Sequence, residues 1–194
     1  MTNEHPYVVI HFHATELNAS DEEGIECVPY RIDVLALSSL SRDMHALYEN
    51  GNQSDFTLIC GSSKIRGHKC ILSARSPVFG RMFQHSITKT TDNAITIPDI
   101  DGNVLDQLVL FMYTGCISEL SCPMARDLYS ASDKYAVLQL KDKCTELLIS
   151  SSSTSTAVEI LTLGNTNNNI RIRNAAVRFY LRQFWRSEYY QSMA

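Results

Sequence analysis

The sequence has six cysteines in 194 residues but no pair spaced as Cys-x-x-Cys. This scatter argues against a zinc site and against a dense disulfide framework. Three of the cysteines, Cys60, Cys70 and Cys144, lie within apolar patterns, where a reduced cysteine acts as a small core residue. We therefore expect a chain that works in a reducing compartment, the nucleus or the cytoplasm.

The chain also lacks membrane signals and an excess of positive charge. No basic region followed by an apolar stretch opens the N terminus, and no apolar run approaches about 18 residues, so we expect no signal peptide and no membrane partner. Formal net charge is −4. The one basic cluster falls on spaced turns of a predicted helix and comprises Arg171, Arg173, Arg178, Arg182 and Arg186. A solvated helix face explains this cluster better than a nucleic-acid site does.

Groups of residues that could carry chemistry are incomplete. His11 and His13 share one face of a predicted strand, but no third ligand stands at a useful spacing. His68 and Cys70 are two residues apart, with no third group to orient them, and Cys70 falls in an apolar helix. We expect no catalytic residue, no metal and no cofactor, and hence a protein that is not an enzyme.

The most informative stretch runs from residue 55 to residue 83. Its pattern predicts strands at 56–60 and 63–67 joined by a tight turn at 61–62. Ser76 followed by Pro77 predicts a helix start, with a capping hydroxyl and then proline at the first helical position. The stretch contains no nucleophile site, metal cluster or phosphate-binding loop, which favours a structural and binding role.

A helix is predicted from residue 37, and Gly51 suits a left-handed cap at its end. Leu40, Met44 and Leu47 lie at i, i+4 and i+7 and share one face of it. Such a face either covers the domain's own sheet or packs across a twofold axis, and periodicity alone does not separate the two.

Asp55 and Lys69 flank the predicted strands and could approach one another. They are either two solvated residues or a partly buried pair that shapes a dimer groove, since a charge removed from water needs a partner.

The same hydrophobic periodicity and turn signals predict the remaining strands and helices. Strands are predicted at 7–13, 27–30 and 94–98, and helices after Asp101, from 122, over 137–148 and from 170 to about 185. Gly115 is expected to close the helix after Asp101. Thr156 and Glu159 have capping-box spacing, and Gly164 is expected to end the helix they begin.

Four segments together resemble a BTB/POZ domain: residues 54–58, 67–79, 111–115 and 132–141. Within that family the chain is similar to proteins that combine MATH and BTB domains, the group of the speckle-type POZ protein. The resemblance implies an α+β fold, with helices clustered around a small β-sheet and a short C-terminal helical extension. It also implies three regions: a MATH-like remnant or N-terminal extension at 1–36, the BTB/POZ domain at 37–150, and partial BACK or 3-box helices at 151–194.

The resemblance implies a protein-interaction module that forms a homodimer, or a heterodimer with other BTB proteins. It would link an unknown substrate protein to a cullin-3 ubiquitin ligase and so promote ubiquitination and proteasomal degradation. The implied dimer-interface residues are Leu40, Met44, Leu47, Tyr48, Asp55 and Lys69. The implied cullin-binding residues are Met82, Ile87, Lys89, Tyr113, Lys134 and Tyr135.

Two departures from the family pattern support an alternative. Good cullin binders of the family have an apolar residue, any residue and then glutamate where this chain has Ile87, Thr88 and Lys89, so Lys89 reverses a charge. The MATH domain, through which the family recruits substrates, is mostly missing. The alternative is a self-association or corepressor-type scaffold, or a shortened paralogue that dimerises with full-length adaptors and does not bind cullin.

Overall fold

The structure is a computed structural model that describes the backbone of residues 7–10, 30–86, 93–117 and 120–191, and the side chains of 34–84, 93–117 and 120–182. Its elements in chain order are β1 (Tyr7–Ile10), β2 (Tyr30–Asp33), α1 (Val34–Asn50), β3 (Phe56–Cys60), β4 (Ser63–Gly67), α2 (Lys69–Arg75), α3 (Pro77–Ser86), β5 (Ala94–Thr96), α4 (Gly102–Thr114), α5 (Cys122–Lys134), α6 (Leu138–Ser150), α7 (Ala157–Thr166) and α8 (Ile170–Gln191). This helix-rich arrangement around a small sheet confirms the predicted α+β class.

The central sheet has the strand order β4-β3-β5. β3 and β4 form the predicted antiparallel hairpin, and β5 pairs with β3 in parallel, with Leu58 opposite Ile95. β1 and β2 form a separate antiparallel pair, and β2 runs directly into α1. No helix in the described ranges is long and apolar enough to cross a membrane.

The core lies between the inner face of this sheet and helices α2 to α6. Alternate residues of β3, namely Phe56, Leu58 and Cys60, point inward, as expected of a strand with one covered face. The same core cluster contains large side chains with less than 2% exposure, among them Leu72, Phe79, Leu105, Leu108, Tyr129, Leu140 and Leu148. The apolar pattern of β3 therefore marks its core-facing side.

Several helix ends match their predicted caps. The Asp101 carboxylate accepts a hydrogen bond from the Asn103 amide (2.8 Å), and Gly115 adopts the left-handed conformation at φ 69°. The Ser76 hydroxyl accepts from the Phe79 amide (3.2 Å) and donates to the Tyr135 carbonyl oxygen (2.5 Å). Ser76 therefore starts α3 and also ties it to the turn after α5.

The capping box predicted for Thr156 and Glu159 is not formed. The Thr156 side chain makes no cap bond to α7; it accepts from the Ser153 amide (2.9 Å), and the Ser153 hydroxyl accepts from the Thr156 amide (3.3 Å). Glu159 instead pairs with Arg126 of α5 (3.3 Å). The serine-rich junction supplies the cap one turn earlier, which leaves the glutamate available to a neighbouring helix.

Gly164 does not end its helix, because α7 continues to Thr166. A Cβ at this position would lie 2.8 Å from the backbone nitrogen of Arg173, closer than real Cβ contacts. The glycine therefore lets α7 and α8 pack closely rather than acting as a stop signal.

Some predicted bounds were also wrong. α1 begins at residue 34 rather than 37, and the strand expected at 27–30 lies at Tyr30–Asp33, while 11–13 and 27–29 fall outside the described residues. α8 extends to Gln191, beyond the end expected near 185.

A matched pair of glycine substitutions tests the packing role of Gly164. Gly164→Ala should lower the free energy of unfolding by about 1–3 kcal/mol, because the new methyl group forces α7 away from α8. Gly80→Ala in α3 should raise it by about 0.5–1 kcal/mol, since its Cβ would meet nothing closer than 3.7 Å and alanine favours helix. Urea denaturation measures both, and equal effects of the same sign would contradict the assignment.

Candidate dimerisation and partner-binding surface

An open groove runs between α1, α2 and the C-terminal end of α4, with a volume of about 690 Å³. Most of its lining is apolar and comprises Val34, Leu37, Leu40, Met44, Ile71 and Met112. Three of these α1 side chains stay exposed in the monomer: Val34 (39%), Leu37 (50%) and Leu40 (55%). We refer to Val34, Leu37 and Leu40 as the α1 apolar row.

The C-terminal half of α1 packs against the rest of the domain. Met44, Leu47 and Tyr48 pack against the core, although no residue of α1 is fully buried. The Ser41 hydroxyl donates to the carbonyl oxygen of Thr114 (2.9 Å), and the Tyr48 hydroxyl donates to the Asp106 carboxylate. Burial and that carboxylate raise the pKa of Tyr48 far above its usual range, so its hydroxyl remains a neutral donor. The single face predicted for Leu40, Met44 and Leu47 is thus divided, since Leu40 is exposed and the other two contact the core.

A hydrogen-bonded junction connects α1, the start of α2 and α4. The Tyr113 hydroxyl accepts from the His68 backbone amide (3.0 Å) and lies 2.7 Å from His68 Nδ1, while His68 Nε2 lies 2.8 Å from the Asn52 carbonyl oxygen. Because a carbonyl only accepts, Nε2 carries the proton, and Nδ1 accepts from the tyrosine. Burial raises the pKa of Tyr113, and the His68 amide partly offsets this.

Asp55 and Lys69 do meet, but not as the predicted pair of side chains. The Asp55 carboxylate accepts from the backbone amide of Lys69 (2.8 Å), and the Lys69 ammonium donates to the Asn93 side-chain oxygen (3.1 Å). A carboxylate at the first amide of a helix is favourable because unpaired N–H groups point out of that end. Asp55 therefore helps to start α2, and its part in a dimer groove stays a prediction.

The residues predicted to contact cullin are spread over different environments. Met82 is half-buried against the core, and Lys134 is exposed and pairs with Asp99. Tyr113 and Tyr135 are buried, at 6% and 2% exposure, so little of either ring is accessible to a partner, and their role in cullin binding stays a prediction. Ile87 and Lys89 lie outside the described residues.

Tyr135 has a clear internal function. Its ring stacks on Phe79 with centroids 4.7 Å apart, and its carbonyl oxygen accepts from Ser76. Tyr135 therefore fixes the end of α5, which carries Lys134, to α3, which carries Met82.

Sequence reasoning missed Arg75, which lines the groove. Its guanidinium donates from Nη2 to the Gln139 side chain (3.2 Å) and lies 5.8 Å from the centre of the Phe111 ring. Its Nε atom is buried without a hydrogen-bond partner among the described residues. Only the fold brings this cation close to Phe111 of α4 and Gln139 of α6, so no local signal could have identified it.

The geometry argues against His68 and Cys70 as a catalytic pair. Both ring nitrogens of His68 are engaged by Tyr113 and Asn52, so neither is available to activate Cys70. Cys70 is exposed, in contrast to the predicted core position, whereas Cys60 and Cys144 are buried and burial raises the pKa of the Cys144 thiol to about 12. Where the structure describes the chain, no group of three His, Cys, Asp or Glu residues could hold a metal ion. His11 and His13 lie outside those residues.

A comparison with protein families decides the identity of this domain. The model of the BTB/POZ domain matches residues 44–152, more than half of the chain. The chain belongs to the BTB/POZ domain family. BTB/POZ domains are protein-interaction modules that dimerise, so the chain carries such a module.

Solved structures support the same fold. The BTB domain of zebrafish PATZ1 superposes with a TM-score of 0.52 at 19% sequence identity, over 63% of this chain and 98% of that domain. The match to the family model leaves out residues 1–43 and nearly all of the C-terminal extension from 151 to 194. The MATH-like and BACK-like interpretations of those regions therefore stay predictions.

Removal of the Tyr113 hydroxyl tests the junction. Tyr113→Phe leaves the His68 amide and ring nitrogen without their partner, so the free energy of unfolding should fall by about 1–3 kcal/mol. Tyr180→Phe, the same change on an exposed ring of α8, should alter it by less than about 0.5 kcal/mol. If both variants unfold at the wild-type urea midpoint, the junction does not hold α1 and α4 together.

Proposed function

We propose that this chain is a dimerising BTB adaptor subunit of a cullin-3 ubiquitin ligase, and that the α1 apolar row and its groove form the twofold interface. The observation that carries the dimer interface is the exposure of Val34, Leu37 and Leu40 beside an open apolar groove. A monomeric protein rarely leaves such a continuous apolar surface in water.

Twofold packing doubles every favourable contact, because the same patch is used on both subunits. Fully burying one aliphatic side chain contributes about 1.5–3 kcal/mol. Because Val34, Leu37 and Leu40 are already about half covered in the monomer, each of the six side chains at the axis would gain about half of that amount. The sum is comparable to the lower end of the cost of lost rotational and translational freedom, which is about 4–15 kcal/mol.

The groove also has the layout of a specific interface. Its lining combines apolar side chains, among them Ile71, Ala74 and Met112, with the polar groups of Ser41 and Arg75. An apolar centre with a polar edge is the usual anatomy of a protein–protein interface. Ser41 is already bonded to α4, so α1 is held in place before a partner arrives.

The proposed cullin-3 contact rests on the resemblance of residues 132–141 to the family and on Ile87, which keeps the apolar residue of the family's cullin-binding loop although Lys89 departs from its pattern. Met82 and Lys134 have accessible surface, and Ser76 fixes the turn at Tyr135 beside them. We propose that these residues and Ile87 form the cullin-binding surface, with α7 and α8 serving as 3-box-like helices and with the nucleus or cytoplasm as the site of action. The substrate protein is unknown.

A second candidate is favoured by one observation. Lys89 has the charge opposite to that of the glutamate in good cullin binders, and a like-charge contact in an interface can cost several kcal/mol. On this alternative the chain is a BTB scaffold that dimerises with itself or with full-length adaptors and recruits no cullin.

The dimer interface is tested with two charges in the α1 apolar row. Leu37→Asp combined with Leu40→Asp should give a monomer of 21.8 kDa instead of twice that mass, because an unpaired charge cannot be buried in an apolar interface. Leu47 is avoided because it packs against the core. The control Leu138→Asp, at a 66% exposed position on α6, should stay dimeric. Light scattering measures the mass, and a dimeric double variant would refute this interface.

The cullin contact is tested by restoring the family's charge. Lys89→Glu should strengthen binding to the cullin-3 N-terminal region by about tenfold or more in calorimetry. Lys64→Glu makes the same charge change at an exposed position of β4 and should leave the affinity unchanged. Failure of Lys89→Glu to change the affinity would show that this loop does not contact cullin, and no affinity in either form would select the scaffold alternative.

A further inference from the structure

The C-terminal helix α8 has a second apolar stripe that the dimer interface does not use. Ile170, Val177 and Leu181 are exposed by 59%, 41% and 52%. At 3.6 residues per turn these positions fall within an arc of about 40° and span about 16 Å along the axis. The buried residues Ile172 and Ala176 lie on the other side of the helix. We call Ile170, Val177 and Leu181 the α8 stripe.

Arginines border this stripe on both sides. Helical geometry places Arg173 on one side and Arg178 and Arg182 on the other. Among the described residues these three arginines form no ion pair, whereas Arg171 pairs with Asp142 (3.5 Å) and Glu146 (3.9 Å) of α6. The guanidinium groups beside the stripe are therefore available to an external carboxylate.

The positive charge is concentrated on this one helix. α8 has five arginines and one glutamate, a net charge of +4, while the whole chain carries −4 and its other residues therefore −8. No acidic residue stands in the first turn of α8, where arginines oppose the positive end of the helix dipole. An acidic partner would relieve both the charge concentration and the unfavourable dipole contact.

We propose that the α8 stripe is a docking site for an acidic amphipathic helix of a partner protein. Its apolar residues would pack on Ile170, Val177 and Leu181, and its flanking carboxylates would pair with Arg173 and Arg178. A narrow apolar seam with charges at both edges is the geometry of helix-on-helix pairing. A membrane-surface helix needs a broader apolar face, and here arginines stand within about 60° of the stripe on either side.

The probe is a designed peptide of about three heptads with leucine at positions a and d and glutamate at e and g, and its control has lysine at e and g. The full-length chain should bind the acidic peptide with micromolar affinity and the basic peptide far more weakly, as measured by fluorescence anisotropy. Affinity for the acidic peptide should fall when salt is raised from 50 to 500 mM, because the flanking pairs are screened.

Substitutions separate the apolar and charged contributions. The double variant Val177→Ser, Leu181→Ser should bind the acidic peptide about tenfold more weakly or worse. The double variant Arg173→Gln, Arg178→Gln should lose most of the salt dependence of peptide binding. Leu138→Ser, at an exposed apolar position of α6, is the matched control and should bind as wild type does. Circular dichroism and an unchanged dimer mass show that each variant is folded, and they keep this test independent of the α1 interface.

Three outcomes would overturn the proposal. The first is no binding of the acidic peptide, and the second is equal binding by the Val177→Ser, Leu181→Ser variant. The third is stripe-dependent binding to phosphatidylserine-containing vesicles without peptide binding, which would assign α8 to an anionic membrane surface.

Discussion

The placement of α1 depends on the hydrogen bonds of the Tyr113 hydroxyl. This hydroxyl accepts from the His68 amide and donates to the His68 ring, whose other nitrogen donates to Asn52 just after α1. The group is buried, so each of its bonds is costly to leave unmade. Together with the contacts of Tyr48 and Ser41 on α4, it holds the second half of α1 against the domain and leaves the first half facing water.

This constraint explains why the first half of α1 leaves apolar side chains exposed beside the groove. His68, which precedes α2, does not act with Cys70, because both of its ring nitrogens form structural hydrogen bonds. The α1 apolar row lies beside a groove that is also lined by residues of α2 and α4. A second copy of the chain can cover this row and groove together. The arginine-rich helix α8 lies on the helical extension, so the proposed dimer and the proposed helix docking would use different surfaces.

Local signals in the sequence predicted the elements and many of their ends. Ser76 with Pro77, Asp101 and Gly115 act within one turn of their own position, so the sequence pattern was sufficient. Positions that depend on distant neighbours were predicted wrongly: Gly164 is set by the approach of Arg173, and Glu159 by Arg126. Cys70 lies in an apolar pattern and is nevertheless exposed. The groove and the position of Arg75 arise only from packing, and for the same reason the sequence did not show that Tyr113 is buried.

Hydrogen exchange of the intact chain, measured above and below its dimerisation midpoint, tests the central claim most directly. The account predicts that the amides of α1 and of the groove-lining end of α4 exchange more slowly at high concentration, while those of α8 are unaffected. Burial of α1 between two copies suppresses the local opening that exchange requires. Concentration-dependent protection confined to α8 or to the β1–β2 pair, with α1 unchanged, would contradict the claim that the α1 apolar row forms the dimer.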